Sequence, residues 1–278
     1  VEYVKEKWEI FTDYINTGLI GKISDFILQT STDTRQPLLA MASTISFVGA
    51  LLGRRYATET DLRSNVYVVG LLGSGEGKDH AMKCIDFLAT KLGLDSFIGG
   101  GDWTSASAVI NPLATTPIRM FQLDEFGKKL KSITMGQAGD YKAEILSTLL
   151  ELYSKSNTIY RGKEYANKKD NQTAIIYNPH VNMYCASTPD TFYDALSSRD
   201  SVSGFIPRFI IVQPPEMTMD NIVLDVACSI NKYNTSSIEE IVKVLIPSEL
   251  LTNSNVDTSN SINMRIVYNS CLIIFLIS

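Results

Sequence analysis

Histidine is nearly absent from this chain: His80 and His180 are the only two in 278 residues. Protein-held zinc draws on clustered His and Cys at short spacings, and neither residue supplies such a cluster. The four cysteines (Cys84, Cys185, Cys228 and Cys271) are scattered, with no CxxC pair. Free thiols in a reducing cytosol are the simplest account of them. Positive charge is also scarce: the formal net charge is -5. That excludes a general basic coat for nucleic acid, so any such contact must be a local patch. The apolar stretches Pro37–Leu52 and Ile266–Ser278 both fall short of the ~20 residues a spanning helix needs, and no membrane partner is expected. The opening Val1-Glu-Tyr-Val-Lys-Glu-Lys7 is charged and amphipathic, unlike a signal peptide, so a cytoplasmic location is expected. There is no convincing internal repeat. At 45% hydrophobic and 20% charged residues, the chain can bury a full globular core.

Against that background one segment stands out. Asn65-Val-Tyr-Val-Val-Gly-Leu-Leu72 is β-prone, and Gly73-Ser74-Gly75-Glu76-Gly77-Lys78-Asp79 follows it before helix-forming sequence begins. Strand, glycine loop, lysine, helix is the order of a phosphate-binding P-loop. Bare glycines let backbone N–H groups converge on a polyphosphate, the helix adds its positive end, and the lysine adds a mobile charge. Against the pattern GxxxxGK[ST], Leu72 replaces a glycine and Asp79 replaces the hydroxyl that ligates magnesium. A carboxylate at Asp79 still suits a hard cation. The bland alternative is a glycine turn that happens to precede a lysine.

A second strand-like run, Pro117–Leu123, ends in Asp124 and Glu125. P-loop enzymes hold magnesium with a carboxylate at a neighbouring strand tip, and a second acid can polarise the attacking water. Alone, such a pair is an ordinary acidic helix start. A third run, Pro179–Ala186, leads into Ser187-Thr188-Pro189-Asp190. Ser187 or Thr188 could sense a terminal phosphate, or simply cap a helix. A fourth places Arg208 before an apolar strand and after Gly204, where it could neutralise charge on a transferred phosphoryl group in its own or a neighbouring subunit.

Taken in order, these segments resemble the P-loop ATPases of phage, prophage and plasmid replication proteins, a domain long of unknown function and similar to the helicase half of primase–helicases. The resemblance runs from about Gly18 to about Pro215. It includes Gly53-Arg-Arg-Tyr56, Arg63-Ser-Asn-Val-Tyr67, Gly73 to Asp79, Leu123-Asp-Glu-Phe-Gly127, Ser187-Thr-Pro189 and Gly204-Phe-Ile-Pro-Arg-Phe209. It implies ATP and Mg2+ as ligands, with Lys78 on phosphate, Asp124 on magnesium, Glu125 activating water and Arg208 as finger or sensor. It also implies a homo-oligomeric ring acting on single-stranded DNA, with a primase as a further partner.

Between the second and third motifs, Asn157–Tyr177 has two β-prone flanks around a basic tip and predicts a hairpin. Ring helicases of the superfamily-three and AAA+ type carry a DNA-gripping hairpin at this place. By that similarity Arg161, Lys163, Lys168 and Lys169 contact phosphates and Tyr160 or Tyr165 stacks on bases. A solvated hairpin whose lysines discourage edge pairing reads equally well.

The expected organisation is an α/β P-loop (AAA+/RecA-like) parallel-sheet core over residues 61–215, with a helical extension over 1–60 and a helical or irregular segment over 216–278. A start at Val1 hints at missing upstream sequence, and the apolar end hints at truncation or packing on another subunit. Two other function classes stay open: a nucleotide-binding loader or scaffold with little hydrolysis, and a small-molecule kinase, which lacks any recognisable acceptor lid.

Overall fold

Strands of three to eight residues build one five-stranded parallel sheet. The computed structural model describes residues 18–31, 36–134, 140–162, 174–196, 204–214, 228–245, 265–269 and 272–276. The sheet strands are β1 (Tyr67–Leu71), β2 (Ile98–Gly100), β3 (Ile118–Leu123), β6 (His180–Ser187) and β7 (Phe209–Val212), in the spatial order β2-β3-β6-β1-β7. β4 (Ile159–Arg161) and β5 (Ile175–Tyr177) form a separate antiparallel pair. Both β1 and β6 are buried along their whole length; β1 accordingly reads as an unbroken apolar run, whereas β6 also buries His180, Asn182 and Ser187.

The helices are α1 (Gly18–Thr30), α2 (Pro37–Leu52), α3 (His80–Lys91), α4 (Ala106–Thr115), α5 (Phe126–Thr134), α6 (Asp140–Ser154), α7 (Pro189–Leu196) and α8 (Ser236–Leu245). In α3 the buried residues Ala81, Cys84, Ile85, Leu88 and Ala89 follow helical spacing and form one apolar stripe. α2 is buried almost all round, as its composition predicts.

Alternation along each strand sorts the core into two layers. Val68, Ile118, Met120 and Tyr184 pack with α1, α2, α3 and α8. Val69, Phe121, Leu123, Met183 and Cys185 pack with α4, α5, α6 and α7. Within the expected helical extension, α1 and α2 are thus part of one layer of the core. Arg55, at the end of α2, donates to the carbonyls of Val244 (2.8 Å) and Leu245 (3.3 Å). A cation there complements the C-terminal end of α8.

Ile98–Gly100 pairs with Met120–Gln122 as an edge strand despite its two glycines, because tertiary pairing overrides weak local propensity. One expectation changes. At the C-terminus, Arg265–Asn269 and Leu272–Leu276 form an antiparallel pair, β8 and β9, where helical or irregular sequence is expected. Residues 1–17 of the expected helical extension, and residues 216–227 and 246–264 of the expected C-terminal segment, lie outside the described residues. Among the described residues no helix is long and apolar enough to cross a membrane.

Candidate functional site

The strand order fixes where a ligand would bind. From β1 the chain crosses to the far edge strand β2, whereas from β6 it crosses the other way to β7. Neighbouring strands whose connections depart in opposite directions open a crevice at their carboxyl ends. Leu71 is level with Ser187 there, and the glycine loop leaves from the same point.

Leu72 is buried and its N–H donates to Ser187 O at 3.0 Å. It extends the β1–β6 ladder by one residue, which gives its side chain a core role where the pattern has glycine. The loop proper begins at Gly73. Gly75 (φ 80°) and Gly77 (φ 79°) occupy the left-handed region, which a side chain disfavours. Gly73 N–H meets Glu76 Oε2 at 3.3 Å, and His80 N–H closes on Gly77 O at 3.2 Å. Among the described residues no backbone carbonyl bonds the N–H groups of Gly75, Gly77 and Lys78, which lie just before the 12-residue α3. Ser74 is exposed in the loop. Asp79 forms an ion pair with Lys83 Nζ at 2.5 Å, and that hydrogen bond lowers its pKa.

Asp124 and Glu125 emerge from β3 at the same edge, with β6 between them and β1. At the usual interstrand spacing β3 and β1 are about 10 Å apart. Glu125 has φ 52°, uncommon for a side-chain-bearing residue and worth weighing at a candidate site. The twist lets its N–H bond Asp124 Oδ1 (2.8 Å) while its carbonyl accepts from Lys128 N–H (2.9 Å) and Lys129 N–H (3.2 Å). Its exposed carboxylate pairs with Lys128 Nζ at 2.6 Å. Lys128 lowers its pKa most, and the Lys78 charge lowers it further. The loop lysine and the second acid therefore share one electrostatic neighbourhood.

Ser187 is fully buried and its hydroxyl is committed. It accepts from Gly127 N–H (3.1 Å) and contacts Thr191 Oγ1 (3.0 Å). A Cβ on Gly127 would lie 2.7 Å from Ser187 Oγ and 2.6 Å from Thr191 C, so only glycine permits this approach of α5 to α7. Ser187 positions the acid-bearing element. The half-buried Thr188 bonds Thr191 and accepts from Phe192 N–H as a helix cap.

Arg208 lies at the other end of the sheet. Phe209 is level with Tyr67, the first residue of β1, roughly 13 Å along the strand from Leu71. Its guanidinium donates to Gly204 O and to Ser154 Oγ (3.4 Å), over the Tyr153 ring. The glycine loop and the arginine, which the motif order links, are not brought together within one chain. The hairpin base rises from this amino edge too, since Asn178 N–H bonds Thr158 O and His180 N–H bonds Pro117 O. Arg161 is exposed at the end of β4, but Tyr160 is only 3% exposed; it is a core residue and cannot stack on a base. Lys163, Tyr165, Lys168 and Lys169 lie outside the described residues.

One cluster escaped the motif reading. Beyond β2, Lys129 donates to Asp102 Oδ1 (2.8 Å) and Gly101 O, with its ammonium 5.3 Å from the Trp103 ring centroid. The sequence holds the residue types, but 27 positions separate the lysine from Asp102.

Among the described residues no three His, Cys, Asp or Glu side chains gather to hold a metal. Magnesium bound chiefly through substrate phosphates takes only one or two carboxylates, and Asp124, at the strand tip, suits that donor set better than the Lys83-paired Asp79. No protein-family model matches the chain, and no curated protein matches it.

Proposed function

We propose that the chain is an ATP-hydrolysing P-loop motor, a DNA helicase or translocase in mobile-element replication that works as a ring. The observation that best supports this reading is the shared carboxyl edge: glycine loop after β1, acid pair after β3, and the Lys78 charge acting on Glu125. Gly75, Gly77 and Lys78 would offer N–H groups, and Lys78 its ammonium, to the β- and γ-phosphates. Asp124 would hold magnesium, which supplies charge neutralisation on the phosphates when bound. Glu125, ionised at neutral pH with its pKa lowered, would exchange Lys128 for the attacking water and orient it in line. Arg208, remote from the loop of its own chain, would serve a neighbour's phosphates, which favours the ring. The test is ATP turnover with and without single-stranded DNA. Lys78→Ala is expected to lower turnover by roughly 100-fold or more, on the scale of other lost charge-stabilising groups; parent-like turnover in that variant rejects the motor.

The DNA contact has its own check. Replacing Arg161, Lys163, Lys168 and Lys169 together by alanine is expected to abolish DNA stimulation and spare DNA-independent turnover, with a shallower salt dependence of DNA binding. Undiminished stimulation excludes the hairpin.

One feature favours a second reading, a nucleotide-binding loader with weak hydrolysis. The Glu76 carboxylate sits against Gly73 N–H, inside the turn meant for an anion, and like charge there opposes polyphosphate.

A further inference from the structure

The glycine loop already holds an anion of its own. Glu76 folds back across the turn, and its Oε2 accepts from Gly73 N–H at 3.3 Å. The contact accounts for the glycine at 73. Unlike Gly75 and Gly77, Gly73 does not occupy the left-handed region, so its backbone conformation does not call for glycine. A Cβ there would instead lie 2.7 Å from Glu76 Oε1 and 2.9 Å from its Cδ, separations that a real side chain does not tolerate. The bare backbone makes room for the carboxylate. Lys78 is the single base of residues 73–79, against two acids, Glu76 and Asp79, and Asp79 is paired with Lys83. Glu76 is exposed, so its departure into water uncovers no core.

A turn that gathers backbone N–H groups at a helix start favours negative charge whatever its source. A carboxylate from within the loop therefore competes with a phosphate chain from outside. We propose that Glu76 is an internal gate on the glycine loop, a carboxylate that a phosphate chain must displace before it binds; this rests on the nucleotide reading above, in its motor or its loader form. Two effects oppose the ligand. One is loss of the Glu76–Gly73 hydrogen bond, and the other is repulsion between the displaced carboxylate and the incoming phosphates. Glutamine at 76 keeps the reach of the side chain but carries no charge and bonds the N–H more weakly. The gate acts on the phosphate chain and is indifferent to the base.

The experiment is calorimetric titration of the full chain with tripolyphosphate and, separately, with ATP, in one magnesium-containing buffer, for the parent, Glu76→Gln and Glu59→Gln. Glu59 is exposed in the turn that Thr58 and Leu62 close, beside Asn157 at the amino edge. It provides the same change of net charge without the contact. Glu76→Gln is expected to bind both ligands roughly 3- to 30-fold more tightly than the parent, the range for removing one like charge and one competing hydrogen bond. Glu59→Gln should match the parent. Parent-like or weaker binding in Glu76→Gln overturns the gate and leaves a nucleotide-binding protein. An equal gain in Glu59→Gln also overturns it, because net charge alone would then be the cause. So does a gain for ATP that tripolyphosphate does not share, which would place Glu76 against the base or sugar. A ligand-free melting temperature several degrees lower, with no gain in affinity, marks Glu76 as a structural tie and overturns the gate as well. If neither ligand binds the parent or Glu76→Gln, the nucleotide reading falls together with the gate. Binding to Glu76→Gln alone supports both.

Discussion

Replacing Glu125 by glutamine is expected to cut ATP turnover by roughly 100- to 10,000-fold, the usual contribution of a positioned general base, with ATP affinity nearly unchanged. The amide keeps the size of the side chain but cannot accept the proton of the attacking water. Glu125 is exposed, and its backbone bonds to Asp124, Lys128 and Lys129 come from main-chain atoms or are made to them, so the substitution leaves the local fold in place. Turnover and equilibrium binding measured on the same preparation check it. Parent-like turnover would move the chemistry elsewhere, while absent turnover in both chains with intact binding would favour the loader reading. Lys128→Met provides the companion measurement: freeing the carboxylate from its 2.6 Å partner should raise the apparent pKa of the acid limb of turnover, because Lys128 is the first cause holding that pKa down.

The second large effect concerns stability in acid. His180 is fully buried at the start of β6, its Nε2 bonded to Gly49 O at 3.0 Å and its Nδ1 without a partner. Burial, aided by the Arg54 and Arg63 charges, holds its pKa down to about 3. In the unfolded chain the imidazole takes its ordinary value near 6.5. Between those values the unfolded state binds the extra proton, so stability is complete above about pH 6.5 and declines as pH falls towards 3. The full contribution is about 5 kcal/mol, from 3.5 pH units at 1.36 kcal/mol each. Denaturant unfolding of the parent and His180→Gln across pH 4 to 7.5 isolates this share, since other titrating groups are common to both. Parallel curves would show that His180 is not the group responsible.

Much of the site is legible in the residues themselves. The loop at 73–79, the acids at 124–125 and the strand–helix alternation that carries them all follow from apolar runs punctuated by glycine or paired charge. What composition cannot reveal is the end of the sheet at which a residue emerges. Arg208 reads as a phosphate ligand by its company with the other motifs, but β7 runs parallel to β1, so a residue that precedes β7 lies at the end away from the glycine loop. Ser187 has the right residue type and edge, yet its hydroxyl goes to Gly127, 60 positions away. Tyr160 looks like a stacking aromatic until β4 turns it into the core. Pairing partners far apart in sequence decide each of these.

The β6 strand spans both the amino and the carboxyl edge of the sheet. At Ser187 it meets Leu72 and Gly127; at His180 it adjoins the hairpin base. The link from β5 to β6 is two residues, Asn178 with φ 48° and Pro179, whose ring fixes φ. Asn178 N–H is bonded to Thr158 O at 2.8 Å. Such a joint has little slack, so the placement of the hairpin base is tied to that of β6 by two residues whose backbone angles are restricted.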